Sequence, residues 1–343
     1  MAITLAESKV GMSDHVEQAV IDEFRRGSFL LENLTFDNCV SPGTGGSNLI
    51  YGYTQLLSPS SAQFRSINSE YEANEAKRVK KTAELKVFGG SFEIDRVIQQ
   101  TSGAVDEMSF QLQQKVKAAS NLFHYTVING NSVKNPAEFD GLDVMLTGSS
   151  TEYKDGIGLD LSDSVKVDDN YKLFMDLLDE FLSGLDGKPT MLAGNSRIIN
   201  RIRACARRTA YFTQSEDAFG RSVDKYNDIP LIDLSEYYDS TSGKTKPVVP
   251  IYDTEDMNGL TDLYAITLGL DAFHGASVTG NNVISTMLPD FSKPGAVKKG
   301  EVEMVAAVAL KNSKKAGVFR GIKVKPTSAQ TSGTAVTAEE GTE

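Results

Sequence analysis

Residues 102–125 read SGAVDEMSFQLQQKVKAASNLFHY. Within them Val105, Met108, Leu112, Val116, Ala119 and Phe123 recur at intervals of 3, 4, 4, 3 and 4, the spacing that lays one apolar stripe along an α-helix. Ser102 is placed to cap the helix, and Asp106 and Glu107 sit in its first turns, where the helix dipole favours carboxylates. At about 1.5 Å per residue the helix is roughly 33 Å long. A stripe of that length needs a sheet or a neighbouring backbone packed along it, so the segment predicts a spine for the rest of the chain. Directly after it, VINGN predicts a turn at Asn129-Gly130, and NPAEFDGLDVML leads into a short strand.

Upstream of the spine, NLIYGYTQLLS reads as one strand and AELKVFGGSFEIDRV as a second, the latter alternating except at a break at Gly89-Gly90. Between them lies the polar stretch SPSSAQFRSINSEYEANEAKRVKK. Together they predict a long two-stranded ribbon with a charged end. Such a ribbon is marginal alone in water, so its apolar positions must be covered by another part of this chain or by another copy. Residues 1–46 read as an arm: His15–Arg26 has helical spacing, and FDNCVSPGTGGSN beyond Thr35 is rich in Pro and Gly, which stops regular structure and predicts a flexible joint. The arm is too poor in apolar residues to fold alone.

Downstream, Tyr171–Phe181 and RIINRIRACARR predict helices, and Thr190–Ala193, Asp228–Ile232 and DLYAITLGL predict strands, the last apolar at most positions as suits the centre of a sheet. EVEMVAAVAL and GVFRGIKV flank the basic turn KNSKKA and predict a C-terminal hairpin. The tail after Pro326 has few large apolar residues and is expected to be disordered.

The 343-residue chain is 40% apolar, enough for a sizeable core, and its length suggests about two domains. Its longest apolar run, Met304–Leu310, is far short of the roughly 18 residues that a membrane helix needs. MAITLAESKV has neither a basic region nor an apolar core of the secretory type, which predicts no leader. A formal charge of −11 disfavours a dedicated nucleic-acid binder, since affinity for phosphates needs Lys and Arg. The charge is compatible with a protein that lies near nucleic acid without adhering to it, and it favours solubility before assembly. The two cysteines, Cys39 and Cys205, make neither a metal pair nor a disulfide framework, which fits a reducing compartment. His15, His124 and His274 have no second ligand at metal spacing, and no nucleophile elbow occurs. SPGTGGSN lacks the ending of a phosphate loop, and YDTEDMNG puts Met257 where a calcium loop needs an oxygen. The expectation is a protein with no catalytic set, no metal and no cofactor.

Two basic clusters stand out: Lys77, Arg78, Lys80 and Lys81 on the ribbon's outgoing limb, and Arg197, Arg201, Arg203, Arg207 and Arg208 on one helix. Neither is interleaved with stacking aromatics, so carboxylate pairing with neighbouring subunits is preferred to nucleic-acid contact, with a solvated face as the plain alternative. The candidate contacts between copies are Tyr51, Tyr53, Phe64, Tyr71, Lys77, Arg78, Lys80, Lys81, Arg197, Arg201 and Arg208.

The order of these parts resembles the major capsid proteins of tailed bacteriophages, whose fold is shared with encapsulin shells and the herpesvirus capsid floor. The resemblance rests on the arm, the hairpin from Asn48 to Asp95, the spine, the turn at Val127–Leu142, DLYAITLGLDAFHG, and KKGEVEMVAAVALKNSKKAGVFRGIKV at Lys298–Val324. It implies an α+β fold with an N-terminal arm (1–46), an extended hairpin loop (47–97), a peripheral domain (98–167 and 290–325, spine helix 102–125), an axial domain (168–289) and a tail (326–343). It further implies self-assembly into pentamers and hexamers of an icosahedral virion shell around double-stranded DNA, formed in the host cytoplasm. A separate scaffolding protein and a portal are the implied partners, and no membrane is involved. An encapsulin-type bacterial compartment is the alternative. From other classes, an α/β enzyme with a ribbon lid lacks a catalytic set, and a tail-tube protein has little use for so long a helix.

Overall fold

The computed structural model describes residues 30, 33–39, 49–58, 60–101, 107–209, 212–216, 222–239, 242–278 and 284–326. The expected arm helix at 15–26, the joint at 42–47, the first turns of the spine at 102–106 and the tail beyond 326 lie outside these residues.

The fold is α+β and is organised on two larger sheets. The first has five strands: β1 (Phe36–Asn38), β4 (Lys86–Asp95), β14 (Phe273–Ser277), β15 (Ile284–Met287) and β16 (Val297–Leu310). β16 is its axis, taking β4 along ten residue pairs and β14 and β15 in succession. Along β16 the side chains alternate between exposed and buried up to Met304, as expected where one face meets a core. The spine helix, α2 (Glu107–Asn129), packs on β4 and β16. Met304, Ala306 and Val308 share a core with Phe123, Val127 and Ile128 of α2, and with Leu30 and Leu34 from the end of the arm. Phe88 stacks on Phe123 with centroids 5.8 Å apart. Full burial of a side chain such as Phe123 contributes about 1.5–3 kcal/mol.

The second sheet has eight strands. Its order is β5 (Glu152–Tyr153), β17 (Ala316–Lys323), β13 (Leu260–Ile266), β6 (Met191–Gly194), β9 (Ile229–Asp233), β8 (Ser222–Tyr226) and β7 (Phe212–Glu216), with β12 (Ile251–Tyr252) beside β13. β13 is buried at all seven positions because both of its faces are covered. Leu263 and Ala265 face α4 (Ser164–Ser183) and α5 (Ser196–Thr209), while Tyr264 and Ile266 face the core under the spine. Asp163 caps α4 by accepting from the Lys166 N–H, so this helix starts seven residues before the apolar pattern at Tyr171. Asn195 caps α5, accepting from Arg197 and Ile198.

Several sequence expectations are corrected here. The ribbon's second strand is not AELKVFGGSFEIDRV: β2 (Ile50–Ser58) pairs with β3 (Lys77–Glu84), which the sequence reading placed in the polar tip, while the expected partner is β4 and belongs to the five-stranded sheet. The Gly89-Gly90 break is no break either. β4 runs through it, and a Cβ on Gly89 would sit 2.0 Å from the Val302 carbonyl oxygen, so glycine allows β16 to lie this close. The C-terminal hairpin is also absent, since β16 and β17 lie in different sheets. Asn312 caps a 3₁₀ turn at Ser313–Lys315 that carries the chain from one sheet to the other. DVML is helical, as α3 (Leu142–Leu146), and a short helix α1 (Arg96–Thr101) follows β4. The spine continues four residues past Tyr125, with its end at Asn129. Its stripe is unevenly covered: Ala119 and Phe123 are buried, whereas Met108, Leu112 and Val116 are half-buried.

Candidate assembly surfaces

The ribbon of β2 and β3 pairs from Ile50↔Glu84 to Ser58↔Lys77. Its root is anchored in the body and its tip is not. At the root, Tyr51 and Tyr53 lie two residues apart, hence on one face of the strand, and that face meets the body. Their side chains are 8% and 9% exposed. The sequence assigns both to contacts between copies; the structure corrects this, because each is covered by its own chain. Tyr51 donates to Asp37 Oδ2 at 2.5 Å and meets the His274 ring edge-on. This hydrogen bond is the main reason that the Asp37 carboxyl lies below its ordinary range, with burial opposing it.

Every residue from Ser60 to Thr82 is exposed. Phe64, Ile67 and Tyr71 are 109%, 93% and 63% exposed. They project from an ordered turn: Ser69 N–H donates to the Ser66 carbonyl, Asn68 takes a left-handed backbone (φ 69°), and the Arg65 guanidinium lies 5.4 Å from the Tyr71 ring centroid. On β3, Lys77, Arg78, Lys80 and Lys81 all face solvent, opposite Ser58, Leu56, Thr54 and Tyr53. Among the described residues, no carboxylate lies within ion-pair distance of these four cations. Between the ribbon root and the 132–147 loop lies a groove of about 460 Å³, lined by Tyr53, Lys81 and Lys86 on one side and Glu138, Asp140 and Met145 on the other.

The arginines of α5 divide differently. Arg201 donates to the Ser162 carbonyl, and Arg208 is paired with Asp168 and bonded to Ser164, so both tie α5 to the start of α4. Arg203 pairs with Asp224 at 2.5 Å. Arg197 is exposed and lines a cleft of about 390 Å³ with Lys246, Lys325, Tyr125 and Tyr237. Of the basic residues singled out on this helix, Arg197, Arg207 and Arg208 are exposed, and of these three Arg208 is paired with Asp168.

Sequence reasoning missed one cluster. Arg320 of β17 reaches Glu152 (3.0 Å), Asp262 (2.8 Å) and Asp143, in a setting where its own side chain is 13% exposed and those of Glu152 and Asp262 are 7% and 8% exposed. Burial pushes the Glu152 carboxyl up, but the Gly148 N–H, Lys154 and Arg320 outweigh it and hold it below the ordinary range. The signal was an arginine inside the apolar run AGVFRGI and an aspartate inside LTDLYAI, opposite charges on adjacent buried strands. Among the described residues no group of three or more His, Cys, Asp or Glu is arranged to hold a metal ion, and no helix is long and apolar enough to cross a membrane.

The architecture is that of known shell proteins. The chain is similar to the holo-SrpI encapsulin of Synechococcus elongatus PCC 7942 (TM-score 0.59, 15% identity, covering 95% of this chain and 98% of that one). It is similar to the capsid of a native GTA particle (0.56, 10% identity, 94% and 99%) and to that of Mycobacterium phage Bobi (0.56, 10% identity, 95% and 100%). No protein-family model matches the sequence, and no curated protein does. The fold is thus the major capsid fold of tailed phages and encapsulins, recognised through structure at identities of 10–15%.

Proposed function

We propose that this chain is the shell tile of a tailed-phage-type icosahedral capsid, assembling into pentamers and hexamers around double-stranded DNA. The observation that carries this reading is the ribbon. A projection presents to solvent three large apolar side chains and four cations that have no carboxylate partner among the described residues, an arrangement that gains stability when another surface covers it. Burying Phe64 and Ile67 on a neighbouring copy contributes about 1.5–3 kcal/mol each. Repeated head-to-tail contacts of this kind close into rings where the rotation fits.

In this reading residues 168–289, with β17 paired into their sheet, cluster about the five- and six-fold axes. Residues 98–167 and 290–325 form the periphery, and the ribbon overlaps the next tile. The net charge of −11 limits adhesion to the packaged DNA. A separate scaffolding protein and a portal complete the assembly. A second reading, an encapsulin-type compartment shell, is favoured by the likeness to the Synechococcus elongatus encapsulin at TM-score 0.59.

Electron microscopy of the purified chain, and of particles from its native source, tests both readings. Closed shells of uniform diameter holding nuclease-protected DNA support the capsid, and shells holding a protein cargo support the compartment. A chain that stays monomeric over a wide range of salt and concentration, with no particle in its source, overturns both.

A further inference from the structure

The ribbon is one hairpin in one register. Ser58 stands opposite Lys77, Asn74 Nδ2 donates to Ser61 Oγ at 2.6 Å, and the Ser69 N–H closes the turn on the Ser66 carbonyl, so all three pairs fall in the same frame. β2 and its continuation flank the 70–81 limb on one side, and among the described residues no strand pairs with its other edge. That limb is charged in two blocks. Glu70, Glu72 and Glu75 come first, then Lys77, Arg78, Lys80 and Lys81, and every one of these side chains is exposed. Among the described residues none of them lies within ion-pair distance of an opposite charge. Within one copy the blocks lie end to end. At about 3.3 Å per residue Glu72 and Lys80 are about 26 Å apart, well beyond the roughly 8 Å over which charges interact at physiological salt. Only Glu75 and Lys77 are near neighbours, and they make no pair. The opposite limb, 49–65, offers Arg65 as its one charged side chain. An acidic patch on a neighbouring body would satisfy the cations and set the three glutamates against like charge.

We propose that this limb pairs antiparallel with the same limb of a second copy, across a two-fold axis at Ala76. Each block then lies against its complement. Glu72 and Lys80 stand equally far from Ala76, as do Glu75 and Lys77 and, further out, Tyr71 and Lys81, so each of these pairs forms twice between the copies. The register also keeps the two members of each pair on one face of the joined limbs, where opposed side chains meet. Lys81 over the Tyr71 ring adds a cation–π contact. Exposed ion pairs are individually weak and salt-sensitive, so the contact is reversible and selects the partner and its direction more than it binds tightly. The pairing deepens the assembly reading and rests on it only for its place in the shell: head-to-tail contacts close rings, whereas a two-fold contact between equivalent segments links one ring to the next.

Ala76→Cys puts a thiol at the proposed axis, and disulfide formation under mild oxidation reads the pairing in the unassembled full chain. Val133→Cys, exposed on the body, measures chance collision, and the parent chain measures what Cys39 and Cys205 contribute. Dimers are expected to form about tenfold or more faster with Ala76→Cys than with Val133→Cys, and the excess is expected to vanish in about 1 M salt. In the Ala76→Cys background, Glu72→Lys with Glu75→Lys, or Lys77→Glu with Lys80→Glu, sets like charges against one another and should lower the rate about tenfold. All four substitutions in one chain, or a mixture of the two double variants, bring opposite charges together again and should restore it. A rate no higher than the Val133→Cys control overturns the pairing, as does a quadruple variant that stays as slow as the doubles. Shells strengthened by Glu72→Lys with Glu75→Lys would make an acidic body the ribbon's partner and overturn it too. The salt series needs no charge variant, so it decides even where one fails to fold: an excess that persists in salt overturns the charge pairing. Because the cross-link is read without shells, closed shells lacking it sink the pairing alone, and the cross-link without shells leaves the pairing standing and the assembly reading overturned.

Discussion

Replacing Arg320 by methionine keeps most of the side chain's volume and removes the one cation shared by Asp143, Glu152 and Asp262. Two of those carboxylates are almost completely buried, so the variant leaves like charges together in a dry site. Removing one partner of a buried pair costs about 3–5 kcal/mol. Asp262 keeps the Tyr252 hydroxyl and the Gly321 N–H, and Glu152 keeps the Gly148 N–H and Lys154, which places the expected loss near the lower figure. Urea unfolding of the unassembled chain at pH 7.5 measures it. In the wild type Glu152 lies below its ordinary value, so its contribution is present at neutral pH and lost as pH falls. Without the arginine the crowded carboxylates are pushed up, so lowering the pH to about 5 should recover part of the loss. Arg320→Lys should be intermediate, because one ammonium cannot span three acceptors as a guanidinium does. A loss under about 1 kcal/mol, the scale of an exposed ion pair, would refute the reasoning, as would a loss that deepens on acidification.

Three further outcomes are expected. Phe64→Ser combined with Ile67→Ser should leave the circular dichroism and melting of the monomer unchanged while abolishing shells in electron micrographs; normal particles would remove the ribbon tip from assembly. Gly89→Ala should lower stability by about 1–3 kcal/mol in urea, as β16 is forced off β4, whereas a neutral effect would mean the ladder yields freely. Burial alone pulls His124 of the spine down from 6.5 to about 4, so its contribution is present above the first value and lost as pH falls toward the second. That interval corresponds to roughly 3 kcal/mol, and His124→Phe should flatten the acid limb of the stability profile measured by denaturant titration.

The spine and β13 were legible because each is decided locally: a helical stripe in one case, a two-sided apolar run in the other. β3 was not. In KRVKKTAE only Val79 and Ala83 are apolar, and a strand exposed on both faces leaves no alternation to read. β4 was recognised as a strand but given the wrong partner, since its register with β16 joins residues some two hundred positions apart, a choice made by packing on α2. The C-terminal hairpin failed for a similar reason: a short basic turn suits a hairpin and a crossing between sheets equally well. At the candidate surfaces, composition found the cations of β3 and the aromatics of the tip. It could not separate Tyr51 and Tyr53 from them, because the same strand passes from a covered root to an open arm within a few residues. Nor could it see that Arg201 and Arg208 are engaged at the start of the neighbouring helix, or that the partners of Arg320 are gathered from 58 to 177 positions away.

β3 and β4 are separated by a single buried residue, Leu85, so the ribbon's outgoing limb runs almost directly into the ten-pair ladder between β4 and β16. A pull on the ribbon is therefore delivered along the strand axis, and the rungs must shear together rather than peel one at a time. In the proposed shell, internal pressure that drives tiles apart would load this ladder in its strongest direction, making the seam within each tile tougher than the seam between tiles.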